Sequence, residues 1–157
     1  MNLSDALKSS VLPALSMLPK PMDSSAACVM LLSIGLQESG FKFRRQMGNG
    51  PALGFWQFEK GGGVRGVLTH DATWHHAMRL CAASGVKAAP APVWNAMERD
   101  DVLAAGFARL LLWSDPKPLP STSDAAWALY LRTWRPGKPH PETWPKYFEM
   151  SKLAVMG

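Results

Sequence analysis

A mainly α-helical domain with at most one small β-hairpin is predicted by three features of the sequence. Apolar residues recur at helical spacing in most of the segments between turn signals. Those segments tend to open on Ser, Thr or Asp and to close on Gly or Pro. One stretch, residues 41–60, lacks that periodicity and carries the turn signal GNGP at 48–51. The 157 residues suit a single domain, 1–157. Residues 1–22 read as an accessory helix at its start.

In order along the chain, residues 3–18 place Leu3, Leu7, Val11, Ala14, Leu15 and Leu18 at helical spacing, with Pro13 interrupting the middle. Asp23 or Ser24 can cap a second helix running to about Glu38. Residues 41–60 follow as two short extended stretches around GNGP. Gly61, Gly62 and Gly63 read as a flexible hinge. A helix around 71–84 ends before Gly85, and KAAPAP at 87–92 reads as a loop. Residues 100–113 carry an apolar face of Leu103, Gly106, Phe107, Leu110 and Leu111. A Pro-rich loop at 114–124 ends in cap residues. A Trp-rich helix over 124–135 stops at Pro136 and Gly137, and a last helix fits 141–155.

Hydrophobic residues make up 47% of the chain and charged residues 18%, a globular composition and not a disordered one. The net charge of +5 favours anionic partners. The Lys and Arg residues are scattered, without a basic run or arm, which argues against nucleic acid as the partner. Cys28 and Cys81 sit in apolar helical segments and read as buried thiols. Two cysteines alone make neither a disulfide framework nor a closed zinc site. His75 and His76 are adjacent, so on a helix they diverge by about 100° and cannot chelate one metal. No metal or cofactor is expected. The first residues lack the basic start and unbroken apolar stretch of a signal peptide, and no run of about 18 apolar residues predicts a membrane span.

The candidate site begins at Glu38. On a helix over 24–38, Ala27, Leu31, Ile34 and Glu38 share one narrow stripe, apolar until it reaches the acid. Glu38 is therefore expected at the edge of the core and at the negative end of the helix macrodipole. Both circumstances disfavour its carboxylate and raise its pKa. A Glu so tuned can hold a proton near neutral pH and deliver it to a leaving group. Gln57, between the aromatics of GFWQF, supplies a donor and an acceptor. Phe55, Trp56 and Phe58 offer flat faces, with core packing as the alternative. Trp127, Tyr130 and Trp134 lie at i, i+3 and i+7 on one helix face, and the two tryptophans read as a core stripe. Asp71 and Asp100 look like helix caps.

Glu38-Ser39 in GLQESGF, followed by Gly54-Phe55-Trp56-Gln57-Phe58, resembles the Glu-Ser and Gly-Leu-Met-Gln motifs of the lysozyme-like superfamily, specifically lytic transglycosylases and related phage lysozymes. Trp127-Ala128-Leu129-Tyr130 looks like a degenerate form of their Ala-Tyr-Asn motif, with Leu131 where the Asn would stand. GFWQFEKGGGVRGVL and YLRTWRPGKP are similar to phage-encoded members. The resemblance spans roughly residues 26–150 and is strongest over 34–60. It implies a lysozyme-like fold and cleavage of the β-1,4 bond between N-acetylmuramic acid and N-acetylglucosamine in peptidoglycan. Glu38 would be the general acid. Ser39 would support the adjacent loop or bond near the site. Gln57 and the backbone of Phe58 would hold the sugar's polar groups, and Tyr130 would line the cleft. Glycoside hydrolases ordinarily use two carboxylates, and Glu59 is the nearest second one. A transglycosylase needs only Glu38, because the substrate's own hydroxyl attacks and closes an anhydro ring. Hydrolysis by the same fold is the alternative; a non-catalytic basic module of a virion, or one that binds nucleic acid, is the other. The resemblance further implies a monomer made in a host cytoplasm, acting on glycan strands of the cell wall after holin-type release or from the virion.

Overall fold

The computed structural model describes residues 1–157 and is mainly helical. α1 (Leu3–Ala6) and α2 (Leu12–Ser16) are joined by a π-helical turn, Leu7–Val11. The wide turn explains how Pro13 is tolerated: Leu12 N–H bonds back to Leu7 O, five residues earlier, so the ladder is already shifted where proline brings no donor. Ala6, Val11, Ala14 and Leu15 are wholly buried. The N-terminal segment expected as an accessory is thus built into the same 38-residue core as the rest.

α3 (Ser25–Ser39) is capped by Ser24, whose hydroxyl accepts from Ala27 N–H at 3.1 Å. It ends on Gly40, left-handed at φ 63°, whose N–H bonds to Gly35 O and Leu36 O. The narrow stripe expected for this helix is not what is found. Every residue from Ala27 to Leu36 is buried, so α3 is apolar all round and runs through the centre of the molecule. Its principal neighbour is α9 (Trp144–Met156), at the far end of the chain.

Gly35 is needed for space. A Cβ there would lie 2.1 Å from the ring of Phe41, which is itself wedged edge-on against Phe55 and Trp56. Gly35→Ala is therefore expected to destabilise the fold by roughly 1–3 kcal/mol through overpacking, despite alanine's better helix propensity. A melting temperature unchanged from wild type would show that the Phe41 corner can yield.

Residues 41–60 form no strand. Two isolated antiparallel bridges, Arg45 with Leu53 and Leu53 with Phe58, are all that remains of the expected hairpin. The chain coils tightly here because it is pinned from outside. Arg44 makes two bonds to Asp101, at 2.9 and 2.8 Å, with its guanidinium 4.2 Å from the Phe55 ring centre. Gly54, at φ 82°, lets the backbone approach Met97 O, where a Cβ would stand 2.8 Å away.

The three glycines read as a hinge lie at a kink in the turn Lys60–Val64, where Gly62 leaves helical geometry at φ −100° and ψ −107° before α4 (Arg65–Thr69) begins. Gly63 is packed under the Phe58 ring, where a Cβ would come within 2.6 Å. α5 (Trp74–Ser84) ends on left-handed Gly85 but takes no side-chain cap, so Asp71 does not cap it. The expected loop at 87–92 contains the start of α6 (Pro90–Ala96). Proline's fixed φ and missing N–H suit the first turn of a helix, where the donor has no partner in any case. α7 (Asp101–Trp113) is capped by Asp100, as expected, and α8 (Ser123–Trp134) by Thr122. Cys28 and Cys81 are buried free thiols. No helix is long and apolar enough to cross a membrane.

Candidate active site

α3 delivers Glu38 to the floor of a cleft of about 400 Å³. One wall comes from Phe43 to Glu59, and the other from Tyr130, Trp134 and the α8–α9 connection, Arg135 to His140. Glu38 is half-buried. Its Oε2 accepts a short hydrogen bond from the Tyr130 hydroxyl, and its Oε1 has no partner within the chain. Burial pushes its carboxyl up to about 7 from the ordinary 4.5; the Tyr130 hydrogen bond opposes this, and the Glu59 charge adds to it. The carbonyls of Gln37 and Glu38, in the last turn of α3, accept no backbone hydrogen bond, so the negative helix end expected from sequence stands beside the carboxyl. The carbonyls of Gly35 and Leu36 accept from Gly40 N–H, and Gly35 O also accepts from the Ser39 hydroxyl.

Tyr130 is held in place from behind. Its ring is 2% exposed and stacks on Trp144 at 5.2 Å and 13°. Burial, and after it the charge on Glu38, keep its hydroxyl firmly protonated. It is thus a fixed donor aimed at one carboxyl oxygen, leaving the other to carry a transferable proton.

Gln57 lines the cleft in a left-handed conformation, φ 51°, uncommon for a residue with a Cβ and costing roughly 1–2 kcal/mol. Its Nε2 donates to Gly54 O at 2.8 Å, which leaves the amide oxygen without a partner in the chain. Glu59 is exposed on the cleft rim and joins no ion pair.

Two residues expected at the site are not on the cleft surface. Ser39 is buried; its hydroxyl donates to Gly35 O and accepts from Phe41 N–H, both at 3.1 Å, so it supports the adjacent loop, the first of the two roles expected for it, and does not face the cleft. Phe58 is 2% exposed. Its N–H donates to Leu53 O and its carbonyl accepts from Leu53 N–H, so its backbone has no donor left for a ligand. Phe55 and Trp56 are likewise core residues, and Trp56 Nε1 is tied to Leu31 O at 2.8 Å. Trp134 departs from the core stripe expected for it: half-buried, it lines the cleft, its Nε1 bonded to Trp56 O at 2.9 Å.

Gln37 was not anticipated from sequence. Its Nε2 donates to His140 O at 3.0 Å and its Oε1 accepts from the Thr143 hydroxyl at 2.9 Å, fastening the far wall to the residue beside Glu38. These contacts span 103 and 106 positions, and no local signal carries them. The cationic Arg135 and Lys138 on that wall, neither in an ion pair, also went unread. Compared with known protein families, curated proteins and solved structures, the chain matches none of them.

Proposed function

We propose that the protein is a peptidoglycan-cleaving enzyme of lysozyme-like type, acting as a lytic transglycosylase with Glu38 as its acid and base. The observation that carries this reading is a single carboxyl, raised to about 7 by burial, held by Tyr130 at the floor of an open polar cleft. A group with that pKa is divided between acid and base near neutral pH, as a residue that must both give and take a proton requires. In the first step the Glu38 carboxyl protonates the bridging glycosidic oxygen as the bond to the muramic acid breaks. The muramic C6 hydroxyl then closes on the anomeric carbon, and the Glu38 carboxylate takes that hydroxyl's proton. The acid is regenerated and no water is consumed. The free amide oxygen of Gln57 suits an acetamido N–H, and the half-buried Trp134 offers a ring face. Arg135 and Lys138 suit the carboxylates of the wall's peptide stems.

The hydrolytic alternative is supported by Glu59, a second carboxylate on the same cleft. The two are separated by their products. Purified peptidoglycan digested by the wild type is expected to yield 1,6-anhydromuramic ends by mass spectrometry, and Glu59→Gln is expected to keep most of the clearing activity. Reducing ends, with a large loss in Glu59→Gln, would assign the protein to the hydrolases instead. Intact peptidoglycan after prolonged incubation would count against both.

A further inference from the structure

A charge that the proposed chemistry does not use lies at the opposite end of α3. Arg109, on α7, is 2% exposed, yet no ion pair in the molecule includes it. A buried cation without a counter-charge is costly, by several kcal/mol, and buried charges are ordinarily paired. Its Nε donates to Met22 O at 2.7 Å, and its guanidinium lies 5.4 Å from the Trp113 ring centre. Its two terminal nitrogens have no hydrogen-bond partner within the chain. Burial lowers its pKa to about 10, so it remains charged at neutral pH.

Arg109 lines a pocket of about 250 Å³ together with Ser24, the cap of α3, and Lys117. The N–H groups of Ser25 and Ala26, in the first turn of this 15-residue helix, have no acceptor in the chain. The one carboxylate in the pocket wall, Asp115, is committed to Arg132 and Lys117 and makes no ion pair with Arg109. Its Oδ2 accepts from Arg132 Nε at 2.8 Å and its Oδ1 from Lys117 N–H at 3.1 Å. The pocket therefore gathers Arg109, Lys117 and Ser24, the cap of α3, while its one carboxylate, Asp115, is held by Arg132 and answers Lys117 but leaves the Arg109 guanidinium without an anion.

We propose that this pocket is a phosphate site, in which the Arg109 fork, the Lys117 ammonium and the start of α3 take the phosphate group of a phosphate ester. Donors from three places on the chain, α7, the loop after it and the start of α3, suit a tetrahedral dianion better than a planar carboxylate, which meets two. The apolar wall of Pro21, Leu112 and Leu119 gives the organic part of the ester a surface to lie on. The site is separate from the cleft at Glu38 and does not depend on what that cleft cleaves.

Calorimetric titration of the intact protein at constant ionic strength tests this. Inorganic phosphate and glycerol 3-phosphate are expected to bind saturably at one site, the ester more tightly. Acetate is expected to bind at least about tenfold more weakly, and chloride not at all. Arg109→Met should abolish binding, and Lys117→Ala, on the surface, should weaken it about tenfold, as loss of a charge-assisted bond does. Both phosphates should raise the melting temperature of the wild type and not of Arg109→Met. If Arg109→Met fails to fold, Arg109→Lys and Lys117→Ala carry the comparison, each expected to bind phosphate more weakly. Absence of saturable phosphate binding by the wild type at millimolar concentration would overturn the site. So would binding that survives in every variant, or acetate binding as tight as phosphate. Inorganic phosphate binding more tightly than the ester would overturn the assignment to an ester.

Discussion

Glu38→Gln is expected to abolish peptidoglycan clearing while making the protein more stable above neutral pH. The loss follows from the chemistry. Glutamine keeps the shape and can still accept from the Tyr130 hydroxyl, but it has no proton to give the leaving oxygen. General acid–base assistance is typically worth about 10²–10⁴-fold, so clearing should fall by at least about a hundredfold. The gain in stability follows from the same burial that raises the acid's pKa. Glu38 binds a proton more tightly folded, at about 7, than unfolded, near 4.5. Its contribution to stability is therefore fully present below pH 4.5 and is lost as pH rises through 7. That loss is worth up to roughly 3 kcal/mol at 1.36 kcal/mol per unit. Glutamine does not titrate, so the variant should escape this loss and melt several degrees above the wild type at pH 8. Melting curves at pH 5 and pH 8, with clearing assays on the same samples, check both halves. A variant that clears as well as the wild type would remove Glu38 from the chemistry.

Tyr130→Phe is expected to shift the pH profile of clearing upward. The ring should stay where it is, stacked on Trp144, because only the hydroxyl is removed. That hydroxyl stabilises the charged form of Glu38, and a hydrogen bond to a charged group is worth roughly 1.5–3 kcal/mol. Without it the carboxylate is less favoured, and the apparent pKa of the acid should rise by about one unit or more. The basic limb of the profile should move with it, whatever happens to the maximal rate. A merely structural Tyr130 would lower the rate at every pH and leave the limb in place. The pH dependence of initial rates distinguishes the two.

The route from burial to chemistry also explains which parts of the site were legible in the sequence. The α3 segment, its Ser24 cap and its Gly40 stop are local signals, and each acts through bonds within four or five residues. They suffice to bring an acid to the end of an apolar helix, and the raised pKa follows from that placement. Ser39 and Phe58 sit in the same short motifs, but their polar groups are consumed by neighbours a few residues away. A motif preserves the order of residue types without deciding which of them face solvent.

Elsewhere the local signals were overridden. KAAPAP reads as a loop because proline ends helices, yet Pro90 begins one, since the first turn needs no N–H from it. Gly61–Gly63 read as a hinge, and the chain does kink at Gly62, but Gly63 is there for packing, to let Phe58 settle on it.

The sequence by itself determined the helical class, most helix ends and the acid that terminates the buried helix. These depend on spacing and capping, which operate over a single turn. Only the tertiary structure decided that Tyr130 meets Glu38 across 92 positions, that Gln37 fastens the opposite wall, and that Arg109 is buried without a counter-charge. Such contacts arise when whole helices pack. Their energy depends on which surfaces meet and how much water they exclude, and neither is written in the spacing of residues along one helix.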